Sequence, residues 1–467
     1  MRILILNPPA SDGASYIREG RCMQSRSSWT ELFPPITLMY LSSSLRERGF
    51  DVQLVDAVAQ GIAWQQALDL LQSRAPELLV LNTAFPSIRS DMDFARQARE
   101  LVPDLRTVAV GVFPTLLPRE GMQAFPWLSH AVVGEPERAV VALAESLAAG
   151  GTGAGLPSLA WREEGQIRVS EERDLVEDLD SLSFPDRDSI PSDLFRFPLT
   201  GEPLTMISLS RGCPHSCIYC LAPLYYGRRE RRRSAGNALA EIQECVRRHG
   251  IRHFIFWGEM VSSRRSVLME LCEALVREDL DICWMGAARA DQLDDELLAL
   301  MHRSGCYMLT LGLESSSQAI LDGVHKGLKV EDGIQAAQAI RRAGIKVMGH
   351  FVVGLPGETE ETARASRVFA RRHCDYAQFY CAVPYPGTEL AERGRLNGWL
   401  READWTDYDF PRALLDLPGF PAERAEALRR RAFVEFYFRP EVVWANLRRM
   451  KLREAFKRLD FRNWMKG

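Results

Sequence analysis

The chain has 467 residues, 46% hydrophobic and 9% aromatic, with 58 Lys and Arg against 62 Asp and Glu. That length divides into two or three domains, and the apolar fraction excludes a disordered chain. The near balance of charge speaks against a nucleic-acid-binding protein, and no apolar run reaches the roughly eighteen residues of a membrane span. Met1 leads straight into RILILNPP, with neither a basic segment nor a cleavage site, so the cytoplasm is the expected address.

Residues 1–150 alternate short apolar runs with helix-length spacers: ILILNPP (3–9), DVQLVDA (51–57), ELLVLNTA (77–84), RTVAVGV (106–112) and HAVVGEP (130–136). Continuous apolar strands of this kind predict a doubly wound α/β domain with helices on both faces of a parallel sheet. Ligands of open α/β sheets lie at the carboxyl ends of the strands. Here those ends carry Asn7, Pro8, Asp56, Thr83, Gly111, Gly134 and Glu135, so a cofactor edge is expected there. The polar loop SYIREGRCMQSRSSW (15–29) leaves the first strand toward that edge; Arg18, Glu19, Arg21 and Cys22 are its candidates for contact with substrate or cofactor, a solvated loop being the alternative.

Residues 151–204 open on a glycine-rich break, continue through a hairpin turning at Glu164-Gly165, and end in a Pro-, Asp- and Ser-rich linker. From 205 to 400 a second series follows, with apolar runs at 205–210, 253–258, 281–289, 307–314, 346–354 and 376–384. Six strand–helix repeats predict a partial (β/α)6 barrel of TIM type, with its chemistry at the carboxyl ends of the strands. His350 lies inside the fifth run and is read as a hydrogen-bonded interior residue before a base. Residues 401–467 read as mainly helical. The stretch 439–467 carries nine Lys or Arg against three Asp or Glu, and Tyr437, Phe438, Trp444, Phe456, Phe461 and Trp464 alternate with Arg448, Arg449, Lys451, Arg453, Lys457 and Arg458. That composition suits an interfacial helix at anionic lipid and equally a helix packed on the barrel.

Ten cysteines are spread along the chain, yet Cys213, Cys217 and Cys220 crowd into RGCPHSCIYC, just after the first barrel strand. A structural zinc site wants four ligands, for which His215 could be offered. Three thiolates on a short loop also suit a [4Fe–4S] cluster with one iron left open. RRERRR (228–233) follows the loop and reads as a solvated charge run, or as an attractor for an acidic substrate or electron donor.

The spacing Cys213-x3-Cys217-x-Tyr219-Cys220 resembles the signature of the radical S-adenosylmethionine (SAM) family. In that family the open iron is chelated by SAM, and an electron from the cluster splits the C–S bond to give methionine and a 5′-deoxyadenosyl radical. WGEM (257–260) resembles the segment that receives the SAM amino group, implicating Gly258 and Glu259, although the closer relatives show an acidic pair there. Arg289 and Glu314 fall where the family binds the SAM carboxylate and ribose, surface salt bridges being the alternative. GHFVVGLPGET (349–359), with Gly354 and Pro356, resembles the segment beside the adenine, and VPYPGTEL (383–390) the loop closing the last strand.

An N-terminal doubly wound domain ahead of such a barrel resembles the cobalamin-binding subgroup, whose signature is D-x-H-x-x-G. Here the stretch runs from Asp56 to Gly61, with Val58 in the histidine's place, so bound cobalamin would lack a protein imidazole below it. This feature, with NTAFPS (82–87), GVFPT (111–115) and VGEPE (133–137), resembles the subgroup of anaerobic magnesium-protoporphyrin IX monomethyl ester cyclases. A flavodoxin-like domain without that ligand is the alternative. The resemblance implies a [4Fe–4S] cluster, SAM and cobalamin as cofactors, and a reductant such as flavodoxin or ferredoxin as partner. The expected reaction is hydrogen abstraction from an unactivated carbon of a small-molecule or lipid-like substrate, then methyl transfer from methylcobalamin. Oxidative cyclisation or rearrangement with the same cofactors is the first alternative, and a non-catalytic cobalamin- or metal-binding module the second. Peripheral membrane contact through the basic C-terminal region would accompany a lipid substrate.

Overall fold

The computed structural model describes residues 1–19, 22–25, 32–197 and 201–439, without the side chains of Cys22 and Met23. Arg21, the Cys22 side chain and the basic stretch 440–467 therefore lie outside the described residues.

Strand β1 (Arg2–Asn7) is followed by a hairpin of β2 (Tyr16–Glu19) and β3 (Cys22–Ser25), then by β4 (Asp51–Asp56), β5 (Leu78–Thr83), β6 (Arg106–Gly111) and β7 (His130–Val132). The hairpin β8 (Leu159–Glu163) and β9 (Gln166–Val169) completes a seven-stranded sheet of order β4-β1-β5-β6-β7-β8-β9. The first five strands run parallel, while β8 and β9 attach antiparallel to the β7 edge. The hairpin read between the domains thus extends the first sheet. Alternation along β1 explains the double winding. Ile3 and Ile5 join the core with Leu38, Leu41 and Val140, whereas Leu4 and Leu6 pack on the opposite face with Leu68, Leu71 and Phe94.

The second half holds β10 (Leu204–Ser208), the short pair β11 (Ser210–Arg211) and β12 (Arg231–Arg232), then β13 (His253–Trp257), β14 (Cys283–Ala288), β15 (Cys306–Glu314), β16 (Lys346–Val353) and β17 (Tyr376–Cys381). A six-stranded parallel sheet of order β10-β13-β14-β15-β16-β17 curls into an open barrel, with helices 235–249, 265–278, 295–303, 330–342 and 360–373 outside it. Ser234, Asp294 and Thr359 cap three of these helices by accepting a backbone N–H three residues on. Helix 422–437 closes the end by β17, where the Tyr437 hydroxyl bonds both the N–H and the carbonyl of Ala377, at 3.0 and 2.8 Å. Among the described residues no helix is long and apolar enough to cross a membrane.

Candidate active site

The cysteine loop leaves the barrel through β11 and returns through β12. Gly212, at φ +90°, makes the exit: a Cβ there would stand 2.2 Å from the Arg229 carbonyl oxygen, so only glycine fits. The Cys213 N–H donates to Gly227 O at 3.2 Å, Ile218 N–H to Val324 O at 3.2 Å, and Cys220 N–H to Cys217 O at 3.1 Å. All three thiols are partly exposed. Cys245, Cys272, Cys374 and Cys381, in contrast, are buried, and burial pushes each thiol up to about 12, which leaves them inert packing groups. Among the described residues no three His, Cys, Asp or Glu side chains converge on a single-ion position. The donor set is three partly exposed cysteines on one loop, a set that suits an iron–sulfur cluster. His215 lies on the same loop, its pKa lowered by partial burial and then by Arg289.

Facing the loop, β15 ends in a bulge where Glu314 takes φ +58°, a left-handed conformation that costs a non-glycine residue about 1–2 kcal/mol. The strain aims its carboxylate at Lys326, whose ammonium donates to Oε1 at 2.7 Å. Burial alone would lower the Lys326 pKa, but Glu314 and then Cys217 outweigh it and raise it. A side chain on Gly312 would collide with this pair. Arg289 turns to the same segment, donating to Lys326 O at 3.0 Å and to Gly327 O, and is held by Asp291 at 2.8 Å. Lys326 carried no motif and escaped the sequence reading.

A cavity of about 760 Å³ fills the barrel, and Tyr219, Cys220, Gly258, Glu259 and Glu314 all line it. Gly258 permits close packing: a Cβ would meet Ser210 Oγ at 2.5 Å. Burial, then the Glu314 charge, pushes the Tyr219 hydroxyl well up. His350 also faces the cavity, edge-on to Tyr380 at 5.3 Å. Arg289, Gly354 and Pro356 do not line it. Gly354, at φ +90°, tops β16, where its N–H donates to the buried Glu358, a residue the sequence reading passed over.

None of the sheet-edge residues read as a cofactor site lines this cavity. Asn7 bonds Asp56 at 3.0 Å, Thr83 donates to Val110 O at 2.9 Å, and Thr115 receives the Gly134 N–H at 3.0 Å. Gly111 and Gly134 have φ of +111° and +102°, and a Cβ on Gly111 would strike Thr83 O. Val58 is half-buried and Gly61 exposed, in a turn open to solvent; Pro8 is buried. Phe85 and Phe113, beside this edge, pack edge-on to Tyr385 and Trp405 respectively.

Arg18, a candidate for contact with substrate or cofactor, is buried in an ion pair with Asp91 at 2.8 Å and donates to Asn7 Oδ1 at 3.0 Å, so it is no part of a solvated loop. Glu19 is buried against Thr37. Gln24 of the same loop and Phe33 beyond it reach the barrel cavity. Glu135 likewise faces a neighbour. It accepts from Arg231 Nη1 at 2.9 Å, while Arg211 grips Glu137 through two bonds of 3.2 and 2.6 Å. The RRERRR run is therefore no solvated stretch: Arg228 and Arg229 are exposed, but Arg231 and Arg233 are buried, Arg233 on Glu241. The Arg211–Glu137 and Arg231–Glu135 pairs tie both ends of the cysteine loop to the N-terminal domain.

Comparison with known proteins agrees with this division. Residues 28–144 match the B12 binding domain and residues 207–370 the radical SAM superfamily. An uncharacterized methyltransferase of Pyrococcus horikoshii is 28% identical over 88% of this chain and 89% of its own length. The anaerobic magnesium-protoporphyrin IX monomethyl ester cyclase of Rubrivivax gelatinosus is 26% identical over 99% of this chain and 79% of its own. The solved structure of the radical SAM methyltransferase TsrM of Kitasatospora setae, with cobalamin and a [4Fe–4S] cluster bound, shares the fold at a TM-score of 0.68 and 19% identity, covering 86% of this chain and 79% of that one. With a B12-binding domain followed by a radical SAM domain, the chain belongs to the cobalamin-binding-domain branch of the radical SAM enzymes.

Proposed function

We propose that this enzyme methylates an unactivated carbon of a small molecule held in the barrel, drawing electrons from a protein reductant of the flavodoxin or ferredoxin kind. When bound, a [4Fe–4S] cluster with SAM supplies hydrogen-atom abstraction, and cobalamin supplies the methyl group. Cys213, Cys217 and Cys220 would hold the cluster. Glu314 and Lys326 offer a carboxylate and an ammonium beside Cys217, a charge pair complementary to the amino and carboxylate groups of SAM. Glu259 is a second acid on the same wall, and the aromatic lining excludes water from it. The observation that carries the reading is that Tyr219, Cys220, Gly258, Glu259 and Glu314, from three separate segments, border one cavity.

Ring formation is a second reading, favoured by the cyclase relative that aligns with 99% of this chain. Anaerobic reconstitution separates the readings. Iron and cobalt content, 5′-deoxyadenosine and S-adenosylhomocysteine would be measured with SAM, dithionite and candidate substrates. Both nucleosides with a methylated product support methyl transfer. Deoxyadenosine with a cyclised product and no S-adenosylhomocysteine supports the cyclase reading. Iron-loaded protein that releases no deoxyadenosine overturns both.

A further inference from the structure

The cavity continues well past the cysteine loop. The residues facing it on β16 are Lys346, Met348, His350 and Val352, and six residues of strand span about 20 Å. Strand pairing stacks them into rungs: Met308 beside Lys346, then Thr310 beside Met348 and Tyr376, then His350 beside Gln378. Barrel interiors are ordinarily filled by layers of branched side chains; this one is left open.

The charges of the wall sit at its two ends. Glu259 and Glu314 lie beside the cysteine loop, whereas Lys346 stands at the floor, 45% exposed and paired with Asp375 at 3.5 Å. Between them the wall carries no Asp, Glu, Lys or Arg and is built mainly of Met285, Met308, Met348, Trp257 and Tyr376, with the imidazole of His350. An ion placed there would lose its hydration with no Asp, Glu, Lys or Arg beside it to compensate. Besides His350 and the tyrosines, Thr310 and Gln378 are polar and face the cavity, and neither side chain hydrogen-bonds another of the described residues. Thioether side chains adapt to irregular apolar shapes.

Building on the reading above, we propose that the lower barrel is the substrate site and takes an uncharged amphiphile: a hydrocarbon body among Met285, Met308, Met348 and Tyr376, carrying one hydroxyl or carbonyl group that bonds Thr310 and Gln378. Phosphorylated, carboxylated and cationic substrates are excluded from this depth.

Binding is tested without turnover on the full-length, cluster-reconstituted protein. The uncharged dye Nile red serves as reporter, displaced by decanol, decanoate or decyltrimethylammonium, three ligands of one chain length and different charge. Decanol is expected to displace the dye at least about tenfold more tightly than either ion. Met308→Trp and Met348→Trp, each checked for an unchanged melting temperature, should abolish dye binding by filling the bore. Thr310→Val with Gln378→Leu should weaken decanol by about three- to tenfold. Equal or tighter displacement by either ion overturns the proposal, as does dye binding that ignores both tryptophan variants. Absence of dye binding in a protein that still cleaves SAM overturns it while the radical SAM function stands. Loss of SAM cleavage in the iron-loaded protein bears on that function alone.

Discussion

Lys326 stands 2.7 Å from Glu314, in a buried pair next to Cys217 that the strained backbone of Glu314 holds in place. Removing one partner leaves an uncompensated buried charge, which costs about 3–5 kcal/mol, whereas removing both costs far less. Lys326→Met should therefore lower the melting temperature clearly, and Lys326→Met with Glu314→Gln should recover most of it. SAM affinity, read by equilibrium dialysis on reconstituted protein, should stay impaired in the double variant. Full recovery of SAM binding there would show the pair to be structural alone.

The joint between the domains rests on Glu135 and Glu137 gripping Arg231 and Arg211, all nearly inaccessible. Both arginines flank the cysteine loop, so the joint sets its position relative to the sheet edge. Glu135→Ala should destabilise the protein by about 3 kcal/mol and split the single unfolding transition of the two halves. Calorimetry of Glu135→Ala, Arg231→Ala and the double variant should give a coupling above about 1 kcal/mol.

The chemistry of the loop was legible because three thiols at fixed spacing have few other uses. The parallel sheets were legible because continuous apolar runs admit few alternatives. What escaped was pairing across long sequence separations. Arg231 finds Glu135 across 96 residues, and nothing local distinguishes it from exposed Arg229 in the same run. Arg18 finds Asp91 across 73 residues, and nothing in its polar loop announces that partner. Lys326 belongs to a loop with no motif of its own; only the bulge at Glu314 gives it a partner. Gly258 and Glu259 were readable one by one, but that they share a cavity with Gln24 and Phe33 is a product of tertiary packing.

Stability should fall as pH rises through the weakly acidic range. Burial lifts Glu19 from 4.5 to about 7 and Asp56 from 3.8 to about 6, despite the hydrogen bonds each accepts. Between the unfolded and folded values the native state holds more protons, so ionisation works against folding. The penalty is absent below about pH 4 and complete above about pH 7, at roughly 3 kcal/mol for each group. Glu19→Gln keeps an acceptor for Thr37 and removes the titration. Melting temperatures across this range should decline less steeply for the variant than for the parent, with the gain largest at the alkaline end. Parallel curves would mean that Glu19 keeps an ordinary carboxylate pKa in solution.

Gly212 offers the sharpest test of the cysteine loop, because its conformation and its crowding can be separated. At φ +90° any side chain is strained, and a Cβ would also overlap the Arg229 carbonyl, at 2.2 Å. Gly165, in the β8–β9 turn, has a similar φ of +77° with open space around it. Gly165→Ala should therefore cost only the left-handed strain, about 1–2 kcal/mol, and leave iron loading intact. Gly212→Ala must in addition move β12 away from β11, pulling Arg231 off Glu135 and spreading the cysteines. Iron per chain after anaerobic reconstitution should drop at least severalfold in Gly212→Ala, with far-ultraviolet dichroism unchanged. Equal iron in the two variants would show that the cysteines hold their cluster without the β11–β12 clamp, and the joint would then serve the fold alone.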